Sequence, residues 1–476
     1  MIHKFQFENS NIIMDIHSGA VHVVDDIAYT IVEDALNLST EQVVQKYQYQ
    51  FDDRQLKETI EELLQLQQQQ ILNTPDIYQD FVPALTNRSP VVKAMCLHVA
   101  HDCNLACKYC FASEGEYHGE RGLMSIDVAK AAVDFLIKGS AGRRNIEIDF
   151  FGGEPLMNFD VVKQVVEYAR SKEDEHNKNF RFTMTTNGVL LNDEIMEFLN
   201  EHMHNVVLSL DGRRDVNDWM RPTRNGKSSY DIIMPKFRKL VDSRNGKQYY
   251  IRGTFTRNNL DFSNDVLHIA DAGFNEISVE PVVAPSDVDY ALQETDIEKL
   301  CEEYETLAKE MLSRHKLCGK SFNFFHFMID LSGGPCVHKR LAGCGSGTEY
   351  LAVTPEGDLF PCHQFVGLDE FKMGDVWHGV TNFEKRNEFA QCNVYSKEDC
   401  TSCWAKLHCS GGCAANSYNF NGTLNGTYRI GCELQKKRLE CAIGLKAEIS
   451  LEVPDISTEV RDLSIEVASI ETIETA

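Results

Sequence analysis

Residues 98–116 read HVAHDCNLACKYCFASEGE and set Cys103, Cys107 and Cys110 in the spacing C-x3-C-x2-C, directly after an apolar run. A closed tetrahedral zinc site takes four protein ligands, whereas three thiolates leave one metal position open for something that is not protein. The run before the triplet is the first of six apolar segments, near residues 94–99, 146–151, 180–186, 206–210, 249–255 and 276–282. Amphipathic stretches separate them. One carries Val128, Ala132, Phe135 and Leu136, and the next carries Val162, Val165, Val166 and Ala169, both at helical spacing. Six strand-helix units predict a parallel α/β barrel or partial barrel, in which the loops after the strand C-termini build the active site. The cysteine triplet falls on the first of those loops.

The chain has 476 residues, 43% of them hydrophobic, enough for two to four domains with large cores. Its formal net charge of −25 repels phosphate backbones and anionic membrane surfaces, so neither nucleic acid nor membrane is expected as a partner. No apolar run reaches membrane-spanning length and no signal segment is evident, which predicts a cytoplasmic protein. Sixteen cysteines then point to metal rather than disulfides. They bunch accordingly: the triplet is one group, and the segment from Cys336 to Cys432 holds nine more.

The N-terminal part differs from the rest. NIIMDIHSGAVHVVDD alternates around a Ser-Gly turn, predicting a hairpin. Three helices follow: DDIAYTIVEDAL, then LSTEQVVQKY with Ser39 and Gln42 as a capping box, then a longer one marked by Leu56, Ile60, Leu63 and Leu64. This composes a winged-helix-like module over 1–80, followed by a linker over 81–92. The last residues, 446–476, form an acidic tail to which no chemistry is assigned.

The segment CNLACKYC resembles the signature of the radical S-adenosylmethionine (SAM) enzymes. The resemblance implies a [4Fe-4S] cluster on Cys103, Cys107 and Cys110, with the methionine amine and carboxylate of SAM on the fourth iron. The stretch FFGGEP, containing Gly152, Gly153 and Glu154, is similar to the family's motif for the SAM amino group; the glycines permit close approach and the carboxylate accepts from an ammonium. By the same resemblance Ser209 and Arg221 contact SAM, Arg221 through its carboxylate. Tyr109 lies near the adenine, and Val282 either packs on it or is a plain core residue.

The second cysteine group runs Cys344-x12-Gly357-x4-Cys362, then Cys400-x2-Cys403-x5-Cys409-x3-Cys413, then Cys432, and resembles the SPASM extension of this family. The resemblance implies two auxiliary [4Fe-4S] clusters, three clusters in all. Cys344, Cys362 and Cys413 would hold the first, completed by Cys336 or by a substrate cysteine; Cys400, Cys403, Cys409 and Cys432 would hold the second. Cys96, Cys301, Cys318, Cys392 and Cys441 match no motif position and are read as structural.

The expected architecture is therefore a partial (β/α)6 radical SAM barrel over 93–325, with the winged-helix-like leader-binding module before it and a SPASM domain over 326–445 after it. It resembles peptide maturases, nearest to those of SCIFF peptides, which bond cysteine sulfur to carbon in a cysteine-rich precursor whose leader the first module would bind. A flavodoxin- or ferredoxin-type reductant is implied as electron donor. The rival is an anaerobic sulfatase-maturating enzyme, where an aspartate acting as base follows the Gly-x4-Cys cysteine. Here His363 stands there and becomes the candidate proton acceptor, with a structural histidine as the plain alternative. A non-enzymatic iron-sulfur electron carrier is the remaining class, and it would need no GGEP motif.

Overall fold

A computed structural model describes residues 1–318, 322–331 and 336–451. The chain opens with strands β1 (Ile2–Phe7), β2 (Ser10–Asp15) and β3 (Val21–Val24), which form an antiparallel sheet in that order. The predicted hairpin is β2–β3; β1, which the sequence reading did not mark, pairs on its other side. Helices α1 (Asp26–Ala35), α2 (Thr40–Tyr47) and α3 (Asp53–Gln68) follow. The Ser39–Gln42 capping box is formed at the start of α2. Ile13 of β2 joins Ile31, Val32, Leu56 and Ile60 in the core beneath these helices.

The second sheet begins with β4 (Ala94–His101), against which the two-residue β5 (Gly122–Leu123) pairs. Next come β6 (Asn145–Gly152), β7 (Asn179–Thr186), β8 (Asn205–Ser209), β9 (Tyr249–Phe255) and β10 (Glu276–Pro281). These are the six expected strands, all parallel, with β11 (Asn323–Phe324) added beyond β10. Val99, Phe150, Phe182, Leu208, Ile251 and Val279 face the helices that cross between strands and are buried. The alternate residues face a concave lumen, as the period of two requires.

The sheet does not close. β12 (Tyr350–Val353) pairs parallel with β4 on the side opposite β6, and β13 (Asp358–Phe360), β14 (Gly374–Asp375) and β15 (Gly379–Val380) continue it antiparallel. The cysteine-rich segment is thus built onto the edge of the barrel sheet. Phe365, Phe371 and Phe389 pack together there with Tyr418 as an aromatic core.

A last helix, Arg429–Leu451, lies against helix Ile297–Cys318 and against β1. Phe7 packs on Gly444, where an added Cβ would come within 2.4 Å of its ring. Ser10 donates to Glu448 at 2.7 Å, and His3 stacks on Trp404 at 3.8 Å. Phe5, Phe7, Ile12 and Met14 consequently belong to the same core as the barrel. The expected acidic tail lies outside the described residues from 452 onward. No described helix is long and apolar enough to cross a membrane.

Candidate active site

The loop after β4 carries the cysteine triplet over the strand ends, and the residues the sequence singled out converge there. A cavity of about 150 Å³ is lined by Cys103, Cys107, Tyr109, Cys110, Gly152, Gly153, Glu154, Ser209 and Arg221. Val282 is not among its lining residues; its side chain is buried in the core and its N–H donates to Phe255 O at 2.8 Å.

The two glycines are required by close approach. A Cβ at Gly152 would lie 2.2 Å from Ala100 O, and one at Gly153 2.2 Å from Asp102 O. Larger residues would push the end of β6 off the cysteine loop. Glu154 is thereby held in the floor, almost fully buried. Its carboxylate accepts from Thr186 Oγ1 at 2.8 Å, Asn187 N at 2.8 Å and Leu156 N at 3.0 Å. A carboxylate has about four acceptor sites, so these three leave room for one further donor. Burial pushes its pKa up to about 6 against the pull of those hydrogen bonds.

Opposite, Arg221 donates to Tyr109 Oη at 2.8 Å, and that hydroxyl donates in turn to Asp211 at 2.8 Å. The guanidinium is buried and its Nε has no hydrogen-bond partner among the described residues. The cavity therefore brings together a carboxylate and a guanidinium, the charges that the amine and carboxylate of an amino-acid ligand require.

Burial raises the Cys103 thiol to about 12, with the charge of Glu154 adding to it, and the Cys107 thiol to about 11, opposed by Arg221. Such thiols ionise at neutral pH only if a cationic centre compensates, which is the donor chemistry of a metal cluster. Asn187, in the TTNG stretch, points its amide at Cys103 Sγ, 3.6 Å away, and at Asn104 Oδ1, 2.7 Å away. Asn187 is not among the residues that the sequence singles out; its place just after the end of a barrel strand is the signal that marks it.

The second cysteine group separates into two sets. Cys400, Cys403, Cys409 and Cys432 all line one cavity of about 350 Å³. Burial raises Cys400 to about 12 and Cys432 to about 11, with neighbouring thiols of the set adding to both. Cys362, raised to about 12 by burial, also feels Cys413 and Cys344. Cys336 is exposed at the start of helix Val337–Ala342. Cys392, read as structural, lies within electrostatic reach of Cys344. His363 is half-buried between Phe111 and Phe151, with Nδ1 unpartnered among the described residues; desolvation, with Arg252 second, lowers it to about 4. It is a neutral imidazole at pH 7.

Comparison with known proteins matches this geometry. Residues 97–250 fit the Radical SAM superfamily. The chain is 36% identical over 138 residues to an uncharacterized protein of Methanocaldococcus jannaschii, a match covering 29% of this chain and 45% of the length of that protein. It is 25% identical over 361 residues to a cysteine-type anaerobic sulfatase-maturating enzyme of Clostridium novyi, covering 71% of this chain and 92% of that enzyme. A solved structure of anSMEcpe with bound AdoMet superposes with a TM-score of 0.64 at 21% identity, over 77% of this chain and 97% of its own. Cys103, Cys107, Cys110 and Glu154 thus all lie within residues 97–250, the segment that fits the Radical SAM superfamily, and that match implies SAM and a [4Fe-4S] cluster as cofactors.

Proposed function

We propose that this chain is a peptide maturase that bonds cysteine sulfur to carbon in a ribosomally made, cysteine-rich precursor. When bound, the reduced cluster and SAM supply a 5′-deoxyadenosyl radical able to take a hydrogen atom from an unactivated C–H bond. The residues described above would do the rest. Cys103, Cys107 and Cys110 hold the cluster; Glu154 and Arg221 orient the amine and carboxylate of SAM; Ser209 and Tyr109 border the same cavity. The burial of this floor excludes water from the reacting centre.

Forming a C–S bond from a C–H and an S–H removes two protons and two electrons from the peptide. One hydrogen atom leaves to the deoxyadenosyl group. The remaining proton and electron need acceptors. The thiols of Cys344, Cys362 and Cys413 would hold an auxiliary cluster as electron acceptor, and Cys400, Cys403, Cys409 and Cys432 a second, with a flavodoxin- or ferredoxin-type protein as external donor. A neutral, half-buried His363 suits a hydrogen-bond acceptor at the reacting thiol better than a strong base, because desolvation disfavours its cation.

The observation that carries the reading is β3. Among the described residues it pairs only with β2 and forms an edge of the N-terminal sheet, and its unpaired backbone groups suit the addition of a peptide strand. Residues 1–80 would thus be the leader-binding module. The likeness to a sulfatase-maturating enzyme supports a second reading, formylglycine formation on a sulfatase. Co-expression with the cysteine-rich precursor and, separately, with a sulfatase-motif peptide tests both. A loss of 2 Da per crosslink, localised by fragmentation, supports the first; formylglycine in the sulfatase peptide with an unmodified precursor supports the second.

A further inference from the structure

The lumen face of β9 carries Tyr250, Arg252 and Thr254, while Ile251, Gly253 and Phe255 are buried on the helix side. Arg252 stands level with Ser209 of β8 and Ser278 of β10, in the middle of the concave face and one strand from the SAM-type cavity. It is exposed. No carboxylate lies within ion-pair distance of its guanidinium, and no side-chain hydrogen bond engages it, among the described residues.

The carboxylate in its electrostatic reach is already engaged. Glu280 lies 3.2 Å from His326 Nε2 and 3.9 Å from Arg438, and Ser278 Oγ is 3.5 Å away. Arg438 is itself buried, donates to Tyr304 Oη at 2.8 Å, and keeps Nη2 without a hydrogen-bond partner among the described residues. The field of Arg252 reaches His363 as well, beside Cys362. Arg252 therefore faces the lumen one strand from the SAM-type cavity, with His363 and its neighbour Cys362 on the side its charge reaches. On a convex surface a lone arginine is held by water alone. On a concave face its planar fork of N–H donors is preorganised for one partner, a carboxylate, and a substrate that displaces the water must satisfy it.

We propose that Arg252 anchors a carboxylate of the substrate peptide in the lumen, either an acidic side chain or a free C-terminus, and so selects which residue faces the reacting centre. This rests on the reading of the chain as a peptide-modifying enzyme. The test uses fluorescein-labelled pentapeptides containing one cysteine, bound to oxidised, SAM-loaded holoenzyme and followed by anisotropy. Three are compared: an amidated peptide with Gln, its Glu counterpart, and the Gln peptide with a free C-terminus.

The wild type should bind at least one carboxylate peptide roughly tenfold more tightly than the neutral one, and which one identifies the side chain or the terminus as the source. Arg252→Gln should remove that preference and leave the neutral peptide's affinity within about twofold, while Arg252→Lys keeps part of it. Equal affinities in the wild type, or a preference that survives in Arg252→Gln, overturn the assignment alone. A fall in SAM affinity in Arg252→Gln without loss of the peptide preference makes Arg252 a SAM ligand and overturns it too. Should none of the three peptides bind the wild type, the peptide reading fails and takes this assignment with it.

Discussion

The ammonium of Lys406, buried at the start of the short helix Lys406–Cys409, pairs with Asp76 at 2.8 Å, which ties the segment leaving the N-terminal helices to the second cysteine group. Asp76 also accepts from Tyr395 Oη at 2.7 Å and lies 3.4 Å from His17 Nε2. Three parts of the chain, β2 with its turn, the connecting segment and the cysteine loop, thus meet at one carboxylate.

Removing that carboxylate strands a buried cation. Asp76→Ala should cost on the order of 3 kcal/mol, read from urea unfolding, and should loosen iron at Cys400 to Cys432 before iron at Cys103 to Cys110. Burial works against the charge of Asp76, but Lys406 and Tyr395 outweigh it and hold its pKa below the usual carboxylate range. The contribution is accordingly complete above about pH 4, the unfolded value, and is lost as pH falls through the lower folded value. An Asp76→Ala protein with wild-type acid stability would contradict this.

Anaerobic reconstitution should give about 12 iron atoms per chain, three clusters of four. Replacing Cys103, Cys107 and Cys110 together by Ala should lower this to about 8 and abolish deoxyadenosine formation. Stoichiometric zinc at Cys400 to Cys432 under the same conditions would sink the three-cluster assignment.

SAM affinity should follow the ionisation of Glu154. With its carboxyl near 6, lowering the pH protonates the group that must accept from the SAM ammonium. Equilibrium dialysis should show affinity weakening towards tenfold per pH unit below about pH 6, and a flat, weaker profile in Glu154→Gln. A wild-type profile without that bend would remove Glu154 from the amine site.

Leader binding should be separable from SAM chemistry by surface substitution. Val23→Lys on the exposed side of β3 should weaken precursor binding while deoxyadenosine is still formed. Deleting residues 1–80 is the poorer experiment, because it would uncover the apolar face of helix Arg429–Leu451 that Phe5 and Phe7 now cover. Precursor binding unaffected by Val23→Lys would argue that the β3 edge is not the leader site.

The six barrel strands could be read from the chain because each is a local apolar run bounded by helical periodicity. The cavity could be read because its residues sit at strand ends. What escaped depends on partners distant in sequence. β1 is a hexapeptide, IHKFQF, without strict alternation; it pairs with the neighbouring β2, and its Phe7 packs on Gly444, far along the chain. Asp76 lies at the end of the segment assigned to the N-terminal module, and nothing local shows that Lys406 awaits it. Arg252 looks like any charge in a strand until register sets it beside Ser209. The aromatic core of Phe365, Phe371 and Phe389 was hidden by cysteine and glycine content that drew attention to metal.

The parallel pairing of β12 with β4 also bears on how the chain is made. At translation rates of roughly 5–20 residues per second, the edge of β4 emerges roughly 250 residues before its partner and waits unpaired for about 10–50 seconds. An open apolar strand on the ribosome for that long is a target for chaperones and for pairing with a neighbouring nascent chain. Slowed synthesis would lengthen the exposure, and co-expressed trigger-factor-type holdases should raise the yield of folded protein. A fragment ending near residue 325 would carry the same open edge permanently and should form inclusion bodies.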